Sequence, residues 1–324
     1  MSNTLLVALS PKPSAARTAQ VALQLAQTLR YTPAAVAVKL HKGPATLEHI
    51  SPRLRVNFPT LDALKGLGSD QALEGYIATA PNVVDGILHS VQKLNPTLLV
   101  MGTQGREGLS RLLEGSVAEG VLKRCPVPVM LLRQRTAADM RGLEHVLVAV
   151  DREPGCEVAL EAAVRLCQRT GARLTLLHVL VGISNAFRAV YGGHPAPDAQ
   201  RQFVEWRNRA TQVLERLKNW AHELDGPSVR LETALVETYD SSVSSLILTY
   251  ALEHGVDLLA LSTSSKTGLD RLLLGSVAEG VFHRAEIPVL MLGPVTLGPA
   301  TGRGDLINSL EPAREDRRKR SQMP

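Results

Sequence analysis

Residues 111–132 read RLLEGSVAEGVLKRCPVPVMLL, and residues 271–292 read RLLLGSVAEGVFHRAEIPVLML. The two stretches lie 160 residues apart and agree at 14 of 22 positions, far beyond chance within one chain. The starts of the two copies match as well. Leu5–Ser10 (LLVALS) aligns with Val146–Asp151 (VLVAVD) at an offset of 141, so the second copy carries 19 more residues in its middle. A period this long denotes duplicated domains rather than a solenoid of roughly 20–50-residue units. The expected division is domain 1 over 1–133, a linker over 134–144, domain 2 over 145–294 and a disordered tail over 295–324.

Within each copy, short aliphatic runs alternate with helical periodicity. Copy one predicts strands at 4–9, 34–40, 73–79, 97–102 and 127–132, with helices at 13–29, 82–94 and 115–124 between them. Copy two predicts strands at 145–150, 173–180, 229–236, 257–262 and 287–292, with helices at 156–169, 199–224, 241–254 and 275–284. The apolar stripe Phe203, Trp206, Ala210, Val213, Leu214, Leu217, Trp220, Leu224 reads as the core face of the long helix. Residues 41–71, with Pro44, Pro52 and Pro59, read as irregular. Strand–helix alternation implies two α/β domains, each a doubly wound, mostly parallel five-stranded sheet of Rossmann-like type. The last strands, 126–132 and 287–292, would lie at sheet edges, and exposed aliphatic edges invite pairing. We expect them to pair with each other as an intramolecular pseudo-dimer.

Composition narrows the function classes. Aromatics make up 3% of the 324 residues, so the core must be aliphatic, which suits parallel strands covered on both faces. The net charge is +5, of which the tail from Val295 contributes +2, too dispersed for a nucleic-acid face. Cys125, Cys156 and Cys167 form no CxxC pair; reduced thiols in a cytoplasmic protein are expected. The nine histidines make no metal-binding spacing, so no metal site of protein side chains is expected. The longest apolar run is too short for a membrane span.

The chemistry concentrates where Leu98-Leu99-Val100-Met101 runs into Gly102, Gly105 and Gly115-Ser116, a G-x2-G-x9-G-S spacing. Ligands bind at the carboxyl ends of strands in open α/β sheets. Gly102 and Gly105 permit close backbone approach and positive φ. Gly115 and Ser116 sit at a helix start, where unpaired N–H groups attract phosphate and the hydroxyl adds a donor. Ser116-x-x-Glu119 and Ser276-x-x-Glu279 are also capping boxes, which need no ligand; the two roles are compatible. The motif contains no positioned nucleophile, no base paired with an orienting group and no P-loop lysine.

The stretch from Gly102 to Leu132 resembles the C-terminal signature of universal stress protein domains, and the resemblance covers nearly all of 4–132 and 145–292. It implies an adenine-nucleotide alpha-hydrolase-like fold, ATP as ligand with Mg²⁺ carried on its phosphates, and AMP as a lesser alternative. It places Gly102 by the ribose and Gly105, Gly115 and Ser116 by the phosphates. It also implies an Asp at the end of the first strand and base contacts at the end of the second, which points to Ser10 and Lys39. Copy one departs with Ser10 where the Asp belongs. Copy two has Asp151, Gly275 and Ser276 but Ser262 and Ser265 where glycines belong. Copy one is therefore the expected nucleotide site, copy two a degenerate one in which Asp151, Gly275 and Ser276 could support a smaller ligand.

The resulting expectation is a cytoplasmic stress-response regulator that binds adenine nucleotide and is not an enzyme. A nucleotide-independent interaction protein is the alternative, since neither copy is complete. The protein partner is not readable from the sequence; association of two tandem chains into a homodimer is compatible with it, and nucleic acid and membrane are not expected partners.

Overall fold

A computed structural model describes residues 3–11, 15–50, 74–103, 116–133, 142–151, 155–182, 197–225, 228–239, 241–263, 275–293 and 295–296. Most of the expected linker, residues 104–115, residues 183–196 and those beyond 296 lie outside these residues.

Copy one runs β1 (Thr4–Leu9), α1 (Ala15–Leu29), β2 (Thr32–Leu40), β3 (Thr46–Ile50), β4 (Glu74–Ala80), α2 (Val83–Leu94), β5 (Leu98–Thr103), α3 (Ser116–Arg124) and β6 (Val129–Arg133). Copy two runs β7 (His145–Ala149), α4 (Cys156–Thr170), β8 (Arg173–Val181), α5 (Pro197–Asp225), β9 (Leu231–Thr238), α6 (Val243–Glu253), β10 (Leu258–Ser262), α7 (Ser276–Arg284) and β11 (Val289–Leu292). Several boundaries have local causes. Asn82 caps α2 by accepting the Asp85 N–H, and Asn95 ends it in the left-handed region at φ 43°. Gly171 ends α4 at φ 76°, a conformation open to glycine because it has no Cβ.

The strands form one sheet in the order β3-β4-β2-β1-β5-β6-β11-β10-β7-β8-β9. The two copies are joined where β6 meets β11 antiparallel, with Met130 opposite Leu290 and Leu131 opposite Val289. The expected pseudo-dimer pairing is thus present, and it moves both strands from the edge to the middle of a continuous sheet. Domain 1 has six strands rather than five. β3 forms within the stretch expected to be irregular and pairs antiparallel with β4, Leu47 opposite Ala78. Leu47 and Ile50 are half-buried and Thr46, Glu48 and His49 exposed, and His49 packs edge-on against Tyr76 at 5.1 Å. A short half-exposed strand gives little periodicity to read.

Both faces of the sheet are covered, and the core alternates accordingly. Leu5, Val7, Val100, Met130 and Leu290 belong to the cluster under α1, α4 and α5. Leu6, Leu99, Leu131, Leu259 and Met291 belong to the cluster under α2, α3, α6 and α7. Each cluster contains residues of both copies, so the apolar interior is continuous across the seam. In α5 the stripe is buried at Ala210, Val213, Leu214 and Leu217, but Leu224 is exposed and Ala221 takes the buried place in the last turns.

Further contacts tie the copies beyond the sheet. Arg169 of α4 donates to Leu29 O at 3.1 Å, and its guanidinium lies 5.0 Å from the Tyr31 ring centre. Arg133, the last residue of β6, donates to His283 O at the end of α7. Reciprocally, the chain past β11 crosses the end of α3: Thr296 Oγ1 donates to Cys125 O at 3.1 Å. A Cβ on Gly293 would stand 1.9 Å from Leu122 O, so this crossing requires glycine.

Candidate functional site

In domain 1 the strand order reverses direction between β1 and β5. β1 leads through α1 to β2 on one side, while β5 lies on the other. The crevice outside the carboxyl ends at such a switch point is where doubly wound sheets bind ligands. Ser10 follows β1 directly, and Gly102 is the penultimate residue of β5; Ala8 and Met101 are register partners just before them. Lys39, exposed near the end of β2 with Thr79 as its partner on β4, shares this edge. Ser116 opens α3. Gly105 and Gly115 lie outside the described residues, as do Arg106 and Arg111.

Gly102 has a partner that the sequence reading missed. A Cβ at this position would lie 2.4 Å from Oγ1 of Thr18, a buried residue of α1. Gly102 is not among the described glycines with positive φ, so close approach, not backbone freedom, is what demands glycine. In copy two the position equivalent to Gly102 is Ser262, and the position equivalent to Thr18 is Ala159. The serine on β10 is matched by the smaller side chain on α4, which packs on that strand. Nothing in the local sequence around Gly102 could have revealed this, because Thr18 is 84 residues away.

The helix starts also differ from the capping-box expectation. In copy two, Glu279 N–H bonds to Gly275 O at 2.8 Å, which makes Gly275 the cap and Ser276 the first helical residue. Gly275 has extended backbone, φ −59° and ψ 149°, and offers no side chain to the first turn. α3 likewise begins at Ser116. The S-x-x-E pattern is therefore one residue out of register with the cap, and Ser276 is exposed.

The copy-two crevice, between β7 and β10, carries different charge. Asp151 is exposed after β7, and its carbonyl accepts from Cys156 Sγ at 3.8 Å. Glu157, which sequence reasoning also missed, is 1% exposed in the first turn of α4. Its Oε2 accepts Gly155 N–H at 2.8 Å, whereas Oε1 is buried without a hydrogen-bond partner among the described residues. Burial, then the Glu157 and Asp151 charges, push the Cys156 thiol well above its ordinary range. Copy one has Ser10 and Ala16 where copy two has Asp151 and Glu157. The second crevice thus carries the exposed Asp151 carboxylate where the first has the Ser10 hydroxyl, and Glu157 is buried within the first turn of α4.

All three cysteines are free and buried, and Cys125 is raised to about 11 by burial. Among the described residues no group of three or more His, Cys, Asp or Glu could hold a metal ion, and no helix is long and apolar enough to cross a membrane.

The fold and its two crevices define a tandem doubly wound α/β protein with ligand positions at the switch points. The sequence profile of the universal stress protein family matches residues 1–133 and 142–293, and the chain belongs to that family. It is 26% identical over 196 residues to a universal stress protein of Mycobacterium tuberculosis, covering 60% of this chain and 61% of that relative. It thus spans about three fifths of the length of such tandem-sized relatives. A Bacillus subtilis universal stress protein is 31% identical over 151 residues, 45% of this chain and 97% of the relative. Among solved structures, a universal stress protein from Archaeoglobus fulgidus matches at TM-score 0.57 and 17% identity over 90% of this chain and 99% of its own. A putative universal stress protein from Pseudomonas aeruginosa matches at TM-score 0.57 and 16% identity over 95% and 96%. These identities speak to the fold alone.

Proposed function

We propose that this chain is a stress-response regulator that binds an adenine nucleotide in the crevice of domain 1, with domain 2 chiefly structural. One observation carries the reading: the single intact glycine motif leaves the carboxyl end of β5, at the switch point, and leads into the start of α3. The residues suit the ligand. Ser116 and the first N–H groups of α3 are donors for phosphate oxygens, Lys39 supplies a cation on the same edge, and Ser10 offers a hydroxyl to ribose or base. ATP, with Mg²⁺ held mainly by its phosphates, is the ligand proposed; AMP is the smaller candidate. Ser10 in place of a carboxylate lowers affinity by about one to two decades relative to a complete site. Ser262 and Ser265, where copy one has Gly102 and Gly105, argue against phosphate in domain 2.

The motif supplies binding groups and no nucleophile or paired general base, which supports a regulator rather than an enzyme; the location we propose is the cytoplasm. The test is to denature freshly purified protein and identify any released nucleotide, beside a Gly115→Val variant. The expected result is adenine nucleotide at one per chain, lost in the variant. No nucleotide, together with no thermal stabilisation by Mg-ATP or AMP, overturns the reading in favour of a nucleotide-independent interaction protein.

A further inference from the structure

The duplication supplies an internal comparison on the α2–α3 and α6–α7 side. Asn82, Asp85 and Arg124 stand 160 residues before Ser242, Ser245 and Arg284. In domain 1, Asn82 Oδ1 accepts the Asp85 N–H at 2.9 Å and its Nδ2 donates to Asp85 Oδ2 at 2.7 Å. Arg124, at the end of α3, donates from Nη1 to Asp85 Oδ1 at 2.8 Å. Arg124 and then Asn82 hold the Asp85 carboxyl below its ordinary range.

Domain 2 repeats these contacts with one chemical change. Ser242 Oγ accepts the Ser245 N–H at 3.2 Å and lies 2.7 Å from Ser245 Oγ. Arg284, at the end of α7, donates from Nη1 to Ser245 Oγ at 2.7 Å. Its other donors go to Ser244 Oγ at 2.5 Å and Gly280 O at 3.1 Å. Among the described residues, every acceptor of this guanidinium is neutral, where its counterpart Arg124 holds a carboxylate. Ser245 is half-exposed and Arg284 exposed. The position that holds a carboxylate in domain 1 thus holds a hydroxyl in domain 2, and a serine hydroxyl is a group that can acquire a charge.

We propose that Ser245 is a phosphorylation site, and that phosphoserine there supplies to Arg284 the anion that Asp85 supplies to Arg124. A helix start alone would not argue this; the same-position carboxylate and the cation without an anionic partner do. The modification is an ordinary group transfer from ATP held by a protein serine kinase. Ser245 Oγ attacks the γ-phosphorus and the Oγ–P bond forms. The bond from that phosphorus to the β,γ-bridging oxygen breaks, ADP leaves, and the hydroxyl proton passes to the kinase's base. The product carries about −1.5 to −2 charge in the first turn of α6, beside Arg284, where both the helix dipole and the guanidinium stabilise it. It ties α6 to α7, which pack against each other. The assignment does not depend on nucleotide binding in domain 1.

The test places phosphoserine at 245 of the full chain co-translationally, with and without Arg284→Gln, and follows ³¹P chemical shift against pH and thermal unfolding at low salt. The second phosphate ionisation is expected below its usual value of about 6, returning upward in Arg284→Gln, with a higher Tm only when Arg284 is present. An ionisation or a Tm gain unaffected by Arg284→Gln overturns the proposal. So does a lowered Tm. In parallel, peptides spanning 241–253 are mapped by mass spectrometry from growing and stationary cells. Phosphate on Ser245 supports the assignment; its absence in both states, or its confinement to Ser241, Ser242 or Ser244, refutes it.

Discussion

Gly102→Ala tests the packing reason for the first glycine of the motif. The new Cβ would stand 2.4 Å from Thr18 Oγ1. Thr18 is buried inside α1, where threonine is held to two χ1 rotamers, so the hydroxyl can leave only by a rotamer change within packed surroundings. Overpacking of this kind costs about 1–3 kcal/mol, a fall in Tm of about 2–4 °C for each kcal/mol in a domain of this size class. Thr18→Ala removes the obstruction and recreates the arrangement of copy two, where Ser262 is matched by Ala159. The Gly102→Ala/Thr18→Ala pair should therefore regain most of the loss, giving a coupling of about 1–3 kcal/mol in a double-mutant cycle. Thermal and urea unfolding followed by circular dichroism would measure it. A neutral Gly102→Ala, or a double variant no more stable than Gly102→Ala, refutes the steric account. The same proteins separate packing from binding: stability restored without nucleotide binding assigns Gly102 a second role at the ligand.

Two further predictions concern the seam and pH. Gly293→Ala puts a Cβ against Leu122 O, a backbone atom that cannot turn aside, and should loosen the crossing of the chain over α3; proline at Met130 and Leu290, opposite each other in the ladder, should open it outright. Small-angle scattering and Tm report both, and unchanged values would show that the β6–β11 pairing does not hold the copies together. His145 is 2% exposed, with its ring between His254 O at 3.1 Å and Thr175 Oγ1 at 2.8 Å. Burial lowers its pKa, opposed by the His254 carbonyl; Arg173 lowers it further, and Asp257 and Glu232 raise it. The unfolded chain takes up this proton first, so stability is full above about pH 6.5 and falls as pH drops through the lower folded pKa. His145→Gln should flatten that slope, and an equal slope in the variant would assign the pH response to other groups.

How much of this was readable beforehand differs by feature. Every expected strand and helix is present, with ends moved by at most two residues, because aliphatic runs and the 3.6 period are local signals. β3 was missed because TLEHI is short and half-exposed, so its pairing with β4 shows only in three dimensions. The serine of S-x-x-E was assigned to the cap because the pattern fits, whereas the Glu279 N–H bond to Gly275 O decides the register. Glu157 was readable as an acid in a first turn, but not as a buried one, since burial comes from what packs over it. Asp151, Ser10 and Lys39 fall at strand ends as their positions implied.

The sequence by itself determined the duplication, the α/β class of each copy and the place of the glycine motif. Repeats, hydrophobic period and turn residues are properties of neighbouring positions. The tertiary structure alone decided that the two sheets fuse through β6 and β11, that Gly102 answers to Thr18, and that Ser245 faces Arg284 where Asp85 faces Arg124. Each of these joins residues dozens to more than a hundred apart in the chain, and only the folded register brings such partners within a few ångströms.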